Sequence, residues 1–119
     1  MEPIIEATKD IDVTLVFNNA GFISTGFYSD VSLSRHLANH HCNGTAILPI
    51  THHFLGKITN MKKKGRKGLI AFTSSSANLL PNPLSAIYSA SKAFMTMFAV
   101  SLAAEVKNQA RYFIILTVY

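Results

Sequence analysis

Val13-Thr14-Leu15-Val16-Phe17-Asn18-Asn19-Ala20-Gly21 is the stretch on which the fold turns. An unbroken apolar and β-branched row runs straight into two asparagines, an alanine and a glycine. A strand with one wet face alternates, whereas a strand covered on both faces reads as a continuous run. Two further runs of the same kind follow. Leu69-Ile70-Ala71-Phe72-Thr73 leads into Ser74-Ser75-Ser76, and Tyr112-Phe113-Ile114-Ile115-Leu116-Thr117-Val118 lies near the last residue. All three are expected to be strands of a parallel sheet, buried on both faces.

Between the runs lie two long segments with helical spacing. The first covers about 33–61, with Leu37, Ile47, Ile50, Phe54, Leu55 and Ile58 as its apolar positions. The second covers about 86–107, with Ile87, Ala90, Phe94, Met97, Phe98 and Leu102. Both are apolar around much of their circumference and should be buried on more than one side. Pro81 and Pro83 mark the loop before the second helix, and Asn108 is its expected stop. The order strand, helix, strand, helix, strand, with right-handed crossovers, gives an α/β fold. Its three parallel strands are flanked by two long helices.

Composition narrows the function classes. The chain has 119 residues, 49% hydrophobic and only 14% charged, which excludes a solvating or disordered chain. Its single cysteine, Cys42, has no partner for an internal disulfide and fits a reducing compartment. Residues 1–12 carry no basic segment followed by an apolar core, so no signal peptide is expected. No stretch has the uninterrupted apolar length of a membrane span, and none is expected. The net charge of +5 is local: Lys62, Lys63, Lys64, Arg66 and Lys67 crowd one run punctuated by Gly65 and Gly68. No aromatic residue is interleaved with them, so the run reads as a solvated loop rather than a nucleic-acid or anionic-membrane patch.

In an open parallel sheet, ligands bind beyond the carboxyl ends of the strands. Both small polar clusters lie there: Asn18-Asn19-Ala20-Gly21 after the first strand and Ser74-Ser75-Ser76 after the second. Ala20 and Gly21 would let a flat ligand approach the backbone. Tyr88 and Lys92, four residues apart, share one helix face. A tyrosine hydroxyl has a pKa of about 10. An ammonium beside it favours the phenolate and makes the pair a workable acid/base. Ser75 stands thirteen residues before Tyr88, and the two hydroxyls could grip one carbonyl oxygen. Taken singly, each element has an ordinary alternative: a turn, a chance spacing, a serine-rich loop. His36 and His40, one helical turn apart, and His52 and His53 lack cysteine or carboxylate neighbours at ligand spacing. They read as helix-surface or interface residues, and no metal is expected.

In combination these residues resemble the short-chain dehydrogenase/reductase family. Its strand-end Asn-Asn-Ala-Gly, its serine thirteen residues before a tyrosine, and its Tyr-x-x-x-Lys correspond to Asn18-Asn19-Ala20-Gly21, Ser75 and Tyr88-Ser89-Ala90-Ser91-Lys92. The resemblance runs from about Val13 onward. It also implies an active-site asparagine about 25 residues past the first motif asparagine, where Asn43 stands. Asn39 is the competing candidate and reads as an ordinary helix-surface residue. Pro81-x-Pro83 followed by Ile87-Tyr88-Ser89-Ala90-Ser91-Lys92-Ala93-Phe94 is similar to the branch of 17β-hydroxysteroid dehydrogenases and 3-ketoacyl reductases.

The resemblance implies an NAD(P)-dependent oxidoreductase acting on a small-molecule carbonyl/alcohol pair, steroid, acyl or otherwise lipid-like. Tyr88 would be the general acid/base, and Lys92 would lower its pKa and hold the nicotinamide ribose. Ser75 would orient the carbonyl, Asn43 would hold a relay water, and Asn18, Ala20 and Gly21 would line the adenosine side of the path of NAD or NADP. The two helices would form a homo-oligomer interface, and the Phe94, Met95, Met97, Phe98 cluster reads as core or interface rather than as a ligand-binding stripe. The expected location is cytoplasmic, or membrane-associated if the branch likeness holds.

The family's glycine-rich phosphate loop has no counterpart in residues 1–12. Residues 1–119 are therefore expected to be a partial, Rossmann-like NAD(P)-binding domain whose N-terminal half is missing. The same departure predicts an apolar edge on the first strand, marginal stability and weak cofactor binding. It raises the alternative of a non-catalytic remnant that associates with a full-length paralogue.

Overall fold

The computed structural model describes residues 1–62, 65 and 67–107. Helix α1 (Glu2–Ala7) comes first, followed by β1 (Leu15–Asn18), α2 (Leu33–His40), a five-residue π turn (His41–Thr45) and α3 (Ile47–Lys62). Strand β2 (Leu69–Phe72), a 3-10 turn (Ser76–Asn78) and α4 (Ala86–Val106) complete the order. The two strands pair in parallel, Leu15 opposite Leu69 and Asn18 opposite Phe72. Thr73 N donates to Asn18 O at 3.0 Å and carries the ladder one residue past the strands, which brings the two polar strand ends side by side. The expected third strand at 112–118, the helix stop at Asn108 and most of the basic run lie outside the described residues.

The core forms where the helices cover the sheet. Val16, Ile70 and Phe72 from the strands meet Ile47, Phe54 and Ile58 of α3 and Met95 and Ala99 of α4. Phe72 is 1% exposed and Ile70 fully buried. Burying such side chains is worth about 1.5–3 kcal/mol each, so β2 anchors the fold. Phe98 of α4 packs edge-on against Phe72, ring centroids 5.9 Å apart.

Three expectations need correction. β1 is not buried on both faces: Val16 and Asn18 point inward, but Leu15 is 57% and Phe17 64% exposed. No described element covers that face, so a run that looks two-sided in sequence is one-sided here. The helix expected over 33–61 is not continuous. Ala46 N bonds back to His41 O at 2.9 Å, a five-residue step, and Pro49 brings no N–H to the helix that follows. Residues 1–12, to which the sequence assigned no element, open with the short helix α1, Pro3 standing in its first turn. And α4, at 21 residues, is long and apolar enough by length and composition to cross a membrane. In this structure it packs on the sheet through Met95 and Ala99 and keeps Ser91 and Lys92 buried.

Candidate active site

The site is built where β1, β2 and α4 converge. β1 ends on Asn18, which is 6% exposed, its amide 3.5 Å from Thr51 Oγ1 of α3. Beyond it the chain exposes Asn19, Ala20 and Gly21. Asn19 Oδ1 accepts from Thr73 Oγ1 at 2.8 Å, so the two strand ends are tied by side chains as well as by the ladder.

β2 ends on the three serines, and the structure gives each a different place. Ser74 is 5% exposed and belongs to a polar knot: its Oγ lies 2.5 Å from Thr96 Oγ1, and Asn78 Nδ2 donates to both, at 3.0 and 2.9 Å. The knot fastens the turn after β2 to α4. Ser75 is half-buried and caps the 3-10 turn, its Oγ accepting from Ala77 N at 3.2 Å. A hydroxyl that accepts there keeps its proton for another acceptor, such as a carbonyl oxygen. Ser76 is exposed.

α4 starts after Leu84, a non-glycine residue held at φ 66°, whose carbonyl accepts from Gly26 N at 2.8 Å. That bond ties the loop after β1 to the entry of α4. Tyr88 and Lys92 then fall on one face: Lys92 Nζ lies 5.7 Å from the centre of the half-buried Tyr88 ring. Lys92 is 4% exposed and donates to Thr73 O at 2.7 Å. Burial pushes its ammonium below the ordinary lysine value of 10.5, and the neighbouring Cys42 thiol works the other way.

Asn43 sits in the π turn, fully buried, with both ends of its amide used. Its Nδ2 donates to Phe22 O at 2.7 Å, and its Oδ1 accepts from Phe22 N at 2.9 Å. Gly21 is where this clamp meets the lysine. A Cβ there would stand 3.0 Å from Asn43 Oδ1 and 3.7 Å from Lys92 Nζ. The glycine is therefore needed for close approach as well as for an accessible backbone.

The structure thus gathers Gly21, Asn43 and Lys92 around one strand end, sets Tyr88 one turn from Lys92, and caps the neighbouring turn with Ser75. Asn18 and Ala20 frame the same edge. Asn39, read from sequence as a surface residue, is instead fully buried, and His36 is 8% exposed and stacked on Tyr28 with centroids 4.4 Å apart. The roles of Thr73 and of the Ser74–Asn78–Thr96 knot went unremarked in the sequence, and Cys42 was read there only for its redox setting. Thr73 had a visible signal as the residue directly after the β2 run, but its service to Lys92 is a tertiary contact. Among the described residues no group of three histidines, cysteines or carboxylates gathers into a metal site.

A parallel sheet with a helix-borne Tyr-Lys pair at its carboxyl edge defines a Rossmann-type α/β chain. The sequence model of the short chain dehydrogenases matches residues 1–116, and the chain belongs to that family. It is 35% identical to mouse (Mus musculus) 17-beta-hydroxysteroid dehydrogenase type 3 over 98% of this chain and 37% of that protein. It is 33% identical to the very-long-chain 3-oxoacyl-CoA reductase of Meyerozyma guilliermondii over 91% of this chain and 33% of that protein. The chain thus spans about a third of these relatives' length. A short chain dehydrogenase/reductase from Burkholderia phymatum, solved in complex with NAD, shares the fold. Its TM-score is 0.79 at 24% identity, covering 98% of this chain and 40% of that one.

Proposed function

We propose that this chain carries the catalytic centre of an NAD(P)-dependent oxidoreductase that interconverts a carbonyl and an alcohol. The observation that supports it best is Lys92: a buried ammonium, anchored to Thr73 O, one helical turn from Tyr88 and against Gly21. A surface Tyr-x-x-x-Lys pair would carry neither the burial nor the anchor. Residues 1–119 act as one partial nucleotide-binding domain in this reading.

The residues present fit the cofactor, Lys92 at its nicotinamide ribose and Asn18, Ala20 and Gly21 along its adenosine side. Gly21 offers backbone without a side chain, Lys92 offers a donor beside it, and Asn18 and Ala20 complete the edge. When bound, NAD or NADP supplies the hydride. The Tyr88 hydroxyl gives its proton to the substrate oxygen as charge develops there, and the Ser75 hydroxyl donates to the same oxygen. The Lys92 ammonium stabilises the phenolate left on Tyr88. Asn43, locked on Phe22, fixes the floor of the site and holds the water through which the proton is replaced.

The substrate is proposed to be a ketosteroid or a 3-oxoacyl thioester, the classes named by the two relatives. The exposed Phe94, Met97 and Val100 on α4 support association with a second copy through the long helices. The test is reduction of a 17-ketosteroid and of a 3-oxoacyl-CoA with NADH and NADPH by the purified protein and by Tyr88→Phe. Turnover of one of them that falls about 10²–10⁴-fold in Tyr88→Phe supports the proposal. Turnover that survives the substitution overturns it. Absence of turnover with co-purification of a full-length relative would favour the non-catalytic reading.

A further inference from the structure

We infer that Asn39 is a positioning residue for the candidate site, the second prong of an amide clamp that holds Phe22 and, through it, Asn43 and Gly21. This rests on the function proposed above. Asn39 is fully buried on α2, one helical turn before Asn43, which places both side chains on one face. Both amides donate to the same atom: Asn39 Nδ2 and Asn43 Nδ2 each lie 2.7 Å from Phe22 O. A carbonyl oxygen has two lone pairs, and the two amides fill both. Phe22 N closes the loop on Asn43 Oδ1.

The energetics argue that Asn39 serves geometry. Its Oδ1 is buried and has no hydrogen-bond partner among the described residues. Such an oxygen costs stability that an apolar side chain would not. What the amide provides in return is direction. With one donor removed, Phe22 O could swing about the other; with two converging, the Phe22–Ile23 peptide has one orientation, and Asn43 Oδ1 holds the N–H of the Gly21–Phe22 peptide before it. That peptide sits next to the point where a Gly21 Cβ would stand 3.0 Å from Asn43 Oδ1 and 3.7 Å from Lys92 Nζ. Rotation of Phe22 would therefore move the wall between Asn43 and Lys92.

The test compares Asn39→Leu, Asn39→Ala and wild type on the full chain, with Asn43→Ala as the reference for an open clamp. Leucine overfills the site and alanine underfills it, so an effect common to both reports the lost amide rather than volume. Amide hydrogen exchange of Phe22 N–H is expected to accelerate about tenfold in both variants, while Leu69 N–H, which donates to Thr14 O at 2.8 Å in the parallel ladder, keeps its wild-type rate. The kcat for carbonyl reduction is expected to fall in both with KM unchanged. An unchanged Phe22 rate, or Phe22 and Leu69 accelerating together, overturns the inference. Tyr88→Phe keeps the two proposals apart. If it retains activity, the functional reading fails while the exchange result still judges the clamp. If it loses activity and the Asn39 variants match wild type, the clamp alone fails.

Discussion

Lys92 Nζ and Thr73 O are joined by a 2.7 Å hydrogen bond that spans α4 and the end of β2. The bond turns a helix-surface spacing into a site. It draws the ammonium under the strand ends, buries it, and leaves it against Gly21 on one side and the Tyr88 ring on the other. The serine knot around Ser74 holds the same two elements together a turn further along. The lysine is thus held at a fixed height over the sheet edge.

Lys92→Met should abolish carbonyl reduction, by about 10²–10⁴-fold, and should also change how stability depends on pH. Burial lowers the folded-state pKa of Lys92 beneath 10.5, so the unfolded chain binds the extra proton between those two values. Stability from this group therefore rises with pH across that window and is lowest beneath it. Thermal unfolding from pH 7 to 10.5 should show the difference between wild type and Lys92→Met moving in favour of wild type as pH rises. Parallel profiles would count against the buried ammonium.

Gly21→Ala should lower activity more than stability. The new methyl would press on Asn43 Oδ1, which cannot yield because Phe22 holds both ends of its amide. A loss of about 1–3 kcal/mol in unfolding free energy is expected for such overpacking. Turnover should fall further than that loss explains, since Lys92 is the next residue reached, its Nζ 3.7 Å away. Denaturant titration beside steady-state kinetics separates the two effects.

Gly68→Ala should affect stability alone. A Cβ at position 68 would lie 2.5 Å from Ile58 Cγ2 and 2.9 Å from Ile58 Cγ1, and Ile58 is 3% exposed in the core. α3 would have to retreat from the start of β2, at a cost of about 1–3 kcal/mol. Urea unfolding is the measurement. A variant as stable as wild type would show that this helix and strand can part freely.

Leu84→Gly should stabilise the chain. Leu84 holds φ at 66°, a conformation in which a side chain costs about 1–3 kcal/mol, and it is 51% exposed, so little packing is lost with it. Glycine's extra freedom in the unfolded chain takes back about 0.5–1 kcal/mol. A net gain near 1 kcal/mol in thermal unfolding is expected, provided the Gly26 N–Leu84 O bond persists.

The fold class was readable because parallel strands leave a strong mark. Leu69 to Phe72 are continuous in sequence and largely buried in space, and the strand-end positions of Asn18 and Ser75 follow from that order alone. Tyr88 and Lys92 were readable because a four-residue step on a helix is a local fact. Asn39 was not readable: its burial comes from Phe22, seventeen residues away, curling under α2, and a polar residue before His40 and His41 looks like surface. The exposure of Phe17 was hidden for a related reason, since an apolar residue says which face could be covered and not whether anything covers it. Thr73 shows the same limit, because a carbonyl that waits for a lysine nineteen residues later looks like any other.

The π turn at His41–Thr45 has a consequence for how the long helical arm can change. Each residue of an α-helix advances its face by about 100°. The extra residue there acts as a phase shifter between two readers of the same rod: α2, whose buried side addresses the loop after β1, and α3, whose buried side addresses the sheet. Deleting one residue from the turn would leave both helices intact and rotate one against the other. Asn39 or Phe54 would then face the wrong neighbour. Substitutions along this arm are judged side chain by side chain, but a change of length within the turn is judged by the whole arm at once.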